Sequence, residues 1–454
     1  MSFRIEQDSM GEINVPKTAL WGAQTERSRQ NFNIGIEKMP NALIQALALI
    51  KKNAAKANEE TGKIEPKISE AIQEAADTII KGEVAEQFPL SLWQTGSGTQ
   101  TNMNVNEVIA HLASEKGVIV HPNDHVNMSQ SSNDVFPSAI HIAAVQLIEH
   151  QLFPVMNQMI QTLHSLEAEN EKIVKIGRTH LQDATPVTFA QEISGWRSGL
   201  EHSHQMLMLT LKELKQLAIG GTAVGTGLNA SKEYVALFFK NLNEETALDF
   251  SEDPNKFHAL ASKDAVVFTS GALKALAANM MKMANDIRWM ASGPRSGLGE
   301  ITIPANEPGS SIMPGKINPT QCEALTMVAI QVMGNDATIG IGASQGNFEL
   351  NVYMPVIAYN LLQSVVLLTD GLRSFDQNCL VGIKADQEKM TQYVEQSLML
   401  VTALNPHIGY DNGAKIAKKA FEENTTLKQA AQALGLVTEE EYERWVKPEQ
   451  MLGQ

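Results

Sequence analysis

The sequence predicts a mainly α protein built around a central bundle of long helices. Three observations carry this. Aromatic residues make up only 6% of the chain, while alanine, leucine and methionine are abundant, which favours packed helices over a β-sandwich. Beyond Pro137, apolar residues recur at three- and four-residue steps. These runs are far longer than the mean helix of about 11–12 residues.

The chain has 454 residues, 43% of them hydrophobic and 19% charged, as in a globular protein with a large core. That length suggests about three domains. Residues 1–133 read as an N-terminal α domain carrying polar loops. In it Asn41 to Glu60 and Pro66 to Lys81 have helical spacing, with Gly62 as the break. Residues 134–385 read as the long-helix bundle. One run repeats Ile148, Leu152, Val155, Met159, Leu163 and Leu166, with Pro154 expected to kink it or mark a boundary. The next repeats Phe189, Ile193, Trp196, Leu200, Leu207, Leu211 and Leu214. Further runs cover Ala265–Met290, Glu323–Ile341 and Val352–Leu372. A helix of about 28 residues is roughly 42 Å long. Ala265 to Ala278 is apolar on most faces, so burial against other subunits, and hence a homo-oligomer, is expected. Residues 386–454 read as a small helical C-terminal domain, broken at Asn405-Pro406 and Gly409.

The net charge of −15 disfavours nucleic acid and anionic membranes as partners. A site for an anionic substrate must then be locally basic. Cys322 and Cys379 form no CxxC pair, and free buried thiols are the expectation. The first residues lack the apolar core of a signal peptide, and no uninterrupted apolar run approaches a membrane span of ~20 residues. A cytoplasmic protein is expected.

Four polar segments carry the candidate chemistry. Gly309–Pro319 places Ser310, Ser311, Lys316, Ile317 and Asn318 on a loop punctuated by glycine and proline, followed by Glu323. Hydroxyls, backbone N–H groups and one ammonium can wrap a small dianion. Glu323 could orient a histidine, or simply favour a helix N-terminus. Thr95–Glu107 is dense in hydroxyls and amides, with Ser97 and Thr99 flanking Gly98. By itself it reads as a capping turn before a helix from Asn106. His121, Pro122, Asn123 and Asp124 precede Ser131, Ser132 and Asn133 at the start of a long helix. Its free N–H groups suit a carboxylate, and Asn133 or Asp134 could cap it. Gly177–Pro186 reads as a loop before another bundle helix and holds Thr179 and His180, with Asp183 as a possible cap. A histidine there is the natural proton carrier. Gly220–Gly227 has no lysine and reads as a backbone turn, not a phosphate loop. Nothing in these segments calls for a metal or another cofactor.

The runs GSSIMPGKINPTQCE, TGSGTQTNMNVNEV, SQSSND and GRTHLQDATP, in this chain's order, resemble the fumarase/aspartase superfamily up to about residue 370. The likeness is greatest to its class II fumarate hydratases, the iron-independent kind. Aspartate ammonia-lyase is the alternative. Its members typically carry glutamine where this chain has His180, and Pro-Ala-Lys where it has Pro314-Gly315-Lys316. Argininosuccinate and adenylosuccinate lyases fit only the signature loop, and loosely.

The resemblance implies a three-domain fold whose central bundles form a tetrameric helical core, with each active site drawn from three subunits. It implies reversible hydration of fumarate to L-malate, a tricarboxylic acid cycle reaction. Ser310 would be the catalytic base, and His180 paired with Glu323 the charge-relay histidine. Ser97, Gly98, Thr99, Ser131, Ser132, Asn133, Thr179, Ser311, Lys316, Ile317 and Asn318 would hold carboxylates and water. His121, Pro122, Asn123 and Asp124 would form a second, non-catalytic dicarboxylate site. Gly117–Val120 lacks the basic side chain some bacterial members carry there, Val118 included, which weakens that site.

Overall fold

The computed structural model describes residues 2–453. Among them are seventeen α-helices and four two-stranded sheets. The chain divides into two compact units. The first takes residues up to Pro154, Ser203–Ala277 and Val328–Thr369. The second takes Val155–His202, Ala278–Met327 and the residues from Asp370 onward.

The first unit is built on the helix Asn41–Glu60, as its spacing predicts. Leu43, Ala46, Leu47, Ile50, Ala54 and Ala57 are wholly buried along it. It packs against Pro66–Ile80, Ser132–Leu147 and Lys232–Thr246, so its burial runs nearly all round. Lys52 bridges two of these helices through Asp77 (2.7 Å) and Glu245 (2.6 Å). The same unit opens on a hairpin, Phe3–Asp8 with Gly11–Pro16, which the helical reading of this region missed. Its strands alternate exposed and half-buried residues, and Gly11 at φ 106° turns the chain.

The run near Pro154 resolves into Ser132–Leu147, a π-type turn over Ile148–Leu152, and Phe153–Glu169. The proline sits at the second residue of the last element, where a missing N–H is tolerated best. The other long runs become Phe189–Leu214, Asp264–Met290, Thr320–Ala343 and Met354–Asn378.

In the second unit, Val174–Thr179 and Gln182–Thr188 form an antiparallel hairpin that packs on the helix Gln387–Gln396. Val394, Leu400, Leu404, Ile416, Ala420, Leu427 and Ala431 form a core of their own toward the C-terminus. Pro406 falls at the start of the short helix Asn405–Ile408 rather than breaking one, and Gly409 (φ 80°) makes the break. Cys322 and Cys379 are free and buried, as expected. Two helices, Thr320–Ala343 and Met354–Asn378 with its extension to Gly382, are long and apolar enough to cross a membrane by length and composition.

Candidate functional site

The predicted site residues fall into both units, and each set has its own geometry. In the first unit, Thr99 begins the helix Thr99–Glu115, seven residues earlier than the sequence suggests. No side chain caps it. Gly98, at φ 73°, makes the N-cap turn, and a Cβ there would come within 2.3 Å of the Phe136 ring. Gly96 is closer still to its neighbours: a Cβ would lie 1.4 Å from the carbonyl oxygen of Val352. These two glycines let the hydroxyl-bearing turn approach Val352 and Phe136 closely. Ser97 Oγ is 2.8 Å from Thr99 Oγ1, which is 2.9 Å from Ser132 Oγ. Three predicted binding hydroxyls thus form one continuous line across two helix N-termini.

Much of the amide density behind them is structural. Asn102, Asn104, Asn106 and Glu107 are buried on the helix. The Glu107 carboxylate accepts from the backbone N–H groups of Gly22, Gln24 and Thr25 and from the Thr25 hydroxyl. Burial nevertheless holds its acid above the ordinary carboxylate range.

The cap of the helix Ser132–Leu147 is Ser131, not Asn133 or Asp134. Its Oγ accepts from Asn133 N at 3.2 Å, and Asp134 Oδ1 accepts from Ser131 N at 2.9 Å, completing a capping box. The other Asp134 oxygen accepts from Gly220 N (3.1 Å) and Thr222 N (2.9 Å). The glycine-rich turn is therefore a backbone turn as predicted, and it buttresses the Ser131–Asn133 segment. Asn133 Nδ2 adds a bond to the Ala223 carbonyl at 2.9 Å. Asp134 is wholly buried, and that desolvation raises its pKa against these three N–H donors.

His121 caps its own turn: its Nδ1 accepts from Asn123 N (3.3 Å) and Asp124 N (3.1 Å). The Asp124 carboxylate lies 3.3 Å from the same nitrogen.

In the second unit, the segment predicted to be a loop is the hairpin already described. His180 and Leu181 are its two turn residues, at φ 57° and 60°, the left-handed pair that joins twisted strands most directly. Thr179 and Gln182 close the turn, and His180 projects exposed at the tip. Asp183 caps nothing; it lies on the second strand opposite Arg178.

Arg178 anchors the hairpin from below. Its guanidinium makes two bonds, 2.9 and 3.0 Å, to the fully buried Glu300. Burial works against the guanidinium's charge, but Glu300 outweighs it and holds the pKa above normal. Buried Lys175 pairs with Glu192 at 2.9 Å and approaches Glu300 at 3.6 Å. Arg178→Met strands a carboxylate in the core, and unfolding stability should fall by about 3 kcal/mol, the low end for a broken buried pair because Lys175 remains. A urea midpoint within error of the parent protein would refute this.

The loop Gly309–Pro319 is held by two bonds across its base. Gly309 N donates to the Lys316 carbonyl at 2.9 Å, and Asn318 Nδ2 donates to the Gly309 carbonyl at 2.6 Å. Within it, Ser310 Oγ accepts from Ile312 N at 3.2 Å and Met313 N at 2.9 Å. Lys316 Nζ donates to Asn318 Oδ1 at 2.8 Å, not to Ser310. Asn318-Pro319 leads into the helix Thr320–Ala343, and Glu323 lies exposed in its first turn. Among the described residues, neither the His180 ring nor the Glu323 carboxylate has a side-chain partner in the chain. Ile312, Met313 and Ile317 are exposed by 82%, 50% and 52%.

Sequence reasoning missed Asp134 as an organiser of two loops, and Arg178 with Glu300 as the hairpin's anchor. A signal for the second existed, since Arg178 adjoins the predicted site residues, but Glu300 is remote in sequence.

The chain is similar over nearly its whole length to known proteins. A family model described as Lyase matches residues 11–334, and one described as Fumarase C C-terminus matches 400–453. A class II fumarate hydratase of Bacillus cereus is 59% identical over 100% of this chain and 99% of its own. One from Helicobacter pylori is 57% identical with the same coverage. The crystal structure of a class II fumarase from Schistosoma mansoni superposes with a TM-score of 0.97 at 44% identity, covering 99% of both chains. Likeness of this extent spans both units and every polar segment above, and by it the chain belongs to the class II fumarate hydratase family, a family of lyases.

Proposed function

We propose that the protein catalyses the reversible hydration of fumarate to L-malate. The observation that carries this reading, beside family membership, is Ser310 Oγ receiving two backbone N–H donors inside a loop of exposed apolar residues. In the malate direction a base takes a C3 proton, and charge spreads into the neighbouring carboxylate as an aci-carboxylate. An acid then protonates the leaving hydroxyl.

A serine hydroxyl is far too weak an acid to serve unaided as the base. The N–H groups of Ile312 and Met313 are fixed before substrate arrives and favour the alkoxide over the hydroxyl. Lys316 keeps two of its three ammonium donors free beside its bond to Asn318 Oδ1, and Asn318 Nδ2 keeps one beside its bond to the Gly309 carbonyl; in this reading those donors meet the carboxylate that gains charge. Thr179, Ser97, Gly98, Thr99, Ser131, Ser132, Asn133, Ser311 and Ile317 complete the binding surface in this reading.

His180 serves the oxygen side through a bound water, oriented by Glu323. Both groups are exposed and lack a side-chain partner within the chain, which fits a pair made between subunits. The exposed apolar surface supports a tetramer with shared sites. Only 28% of the most apolar stretch of Thr320–Ala343 is buried, and Met327, Ile330 and Ile341 are exposed by 64%, 62% and 68%. That helix also carries Asn335, bonded to Asn360, Gln363 and Ser364, and Asp336, bonded to Ser270 and Lys274. Such polar anchors fit a water-soluble helical assembly, and we place it in the cytoplasm. In that assembly the chain reads as domains 1–133, 134–385 and 386–454. Sedimentation should give the mass of four chains; a stable monomer would refute the shared site.

His121–Asp124 remain a dicarboxylate contact outside the reaction. The Asp124 carboxylate and the absence of a basic side chain in Gly117–Val120 weaken it.

Fumarate absorbance followed in plain buffer and with ammonia tests the activity. Loss without ammonia is the expected result. Loss only with ammonia would instead make the protein an aspartate ammonia-lyase.

A further inference from the structure

Beneath the Ser131–Asn133 segment lies a buried cation that the chemistry above does not use. Lys51 is wholly buried in the middle of the helix Asn41–Glu60. Its ammonium donates to Asn127 Oδ1 at 2.9 Å and Gln130 Oε1 at 3.0 Å. Both acceptors are neutral, and among the described residues no carboxylate stands within ion-pair distance of it. Asn102 Nδ2 and Asn106 Nδ2 converge on the same Asn127 Oδ1, each at 3.2 Å, while their own oxygens have no partner. Three donors therefore converge on the one Asn127 oxygen. The charged group acting on Lys51 is Asp134, whose oxygens are already engaged by the N–H groups of Ser131, Gly220 and Thr222.

A buried ammonium with no carboxylate in contact is costly, because two neutral acceptors and the charge of Asp134 offset only part of its desolvation. Burial pushes its pKa down from 10.5 to about 7. The missing counter-charge has a natural source one residue beyond Gln130. There the hydroxyls and helix N-terminus of Ser131–Asn133 await a substrate carboxylate.

We propose that Lys51 is a positioning residue for the dicarboxylate substrate. It fixes Asn127 and Gln130, and thereby the entry to the Ser131–Asn133 turn, and its charge attracts the carboxylate bound on the far side. This rests on the fumarate reading above. It also answers how a chain of net charge −15 holds a dianion, since a charge in a low-dielectric pocket escapes the screening that weakens surface charges.

Two variants separate this role from a merely structural one. Lys51→Met keeps the length and removes the charge. Asn127→Asp keeps the acceptor and neutralises the ammonium with an adjacent carboxylate, so it tests the charge even if the first variant does not fold. Both should raise KM for fumarate and the inhibition constant of succinate about tenfold or more, with kcat within about threefold of the parent. A folded Lys51→Met or Asn127→Asp protein with KM and succinate affinity within twofold of the parent overturns the proposal. So does a loss confined to kcat. The parent protein in the same assay reports on the fumarate reading itself: no hydration by it would sink that reading, whatever the variants do.

Discussion

Replacing Ser310 with alanine should lower kcat for fumarate hydration by at least about 10⁴-fold while leaving the unfolding midpoint unchanged. The size follows from what the hydroxyl would do. It is the proposed base, and the two N–H groups that would stabilise its alkoxide, from Ile312 and Met313, have no other group to act on once it is gone. Those donors then face water, which cannot be held at the angle needed to take the C3 proton. The fold should survive because Ser310 sits on a half-exposed loop whose closure depends on Gly309, Lys316 and Asn318. KM should change little, since the carboxylate ligands in this reading are other side chains, Lys316 and Asn318 of the same loop among them. Turnover within tenfold of the parent protein would remove Ser310 from the role of base.

His180→Asn should lower kcat by about 10³-fold, within the usual range for a lost general acid–base, and raise KM far less. Asparagine is the informative replacement because position 180 has φ 57° and position 181 φ 60°. Asparagine accepts that left-handed conformation better than other non-glycine residues, so the turn is kept and the imidazole alone is lost. Alanine would confound lost chemistry with a strained hairpin. The Arg178–Glu300 anchor lies outside the change, so Thr179 should still present its hydroxyl. If KM rose as much as kcat fell, His180 would be a binding group and not a proton carrier.

Much of this was legible in the chain itself. The long helices were readable because apolar residues at three- and four-residue steps state which face must be buried, whatever it is buried against. Asn41–Glu60 was foreseen to the residue, whereas the cap of the next site helix, expected at Asn133 or Asp134, lies two to three positions earlier at Ser131. The loop Gly309–Pro319 was readable from its glycines and prolines. The hairpin Val174–Thr188 was not. Its turn is His180-Leu181, neither a residue of common turn chemistry, and its strands carry Gly177 and Pro186, which argue against a strand.

What the sequence by itself determined was the helical class, the order of the polar segments and the residue types they carry. The tertiary structure decided which of those residues are committed elsewhere. Asp134 is tied to the turn at Gly220 and Thr222, Arg178 to Glu300, and Lys316 to Asn318, while His180 and Glu323 are left open. Periodicity is a local property, set by 3.6 residues per turn, and survives in a single sequence. Hydrogen-bond commitment pairs groups far apart in sequence, 122 residues in the case of Arg178 and Glu300, and only the folded chain brings such partners within 3 Å.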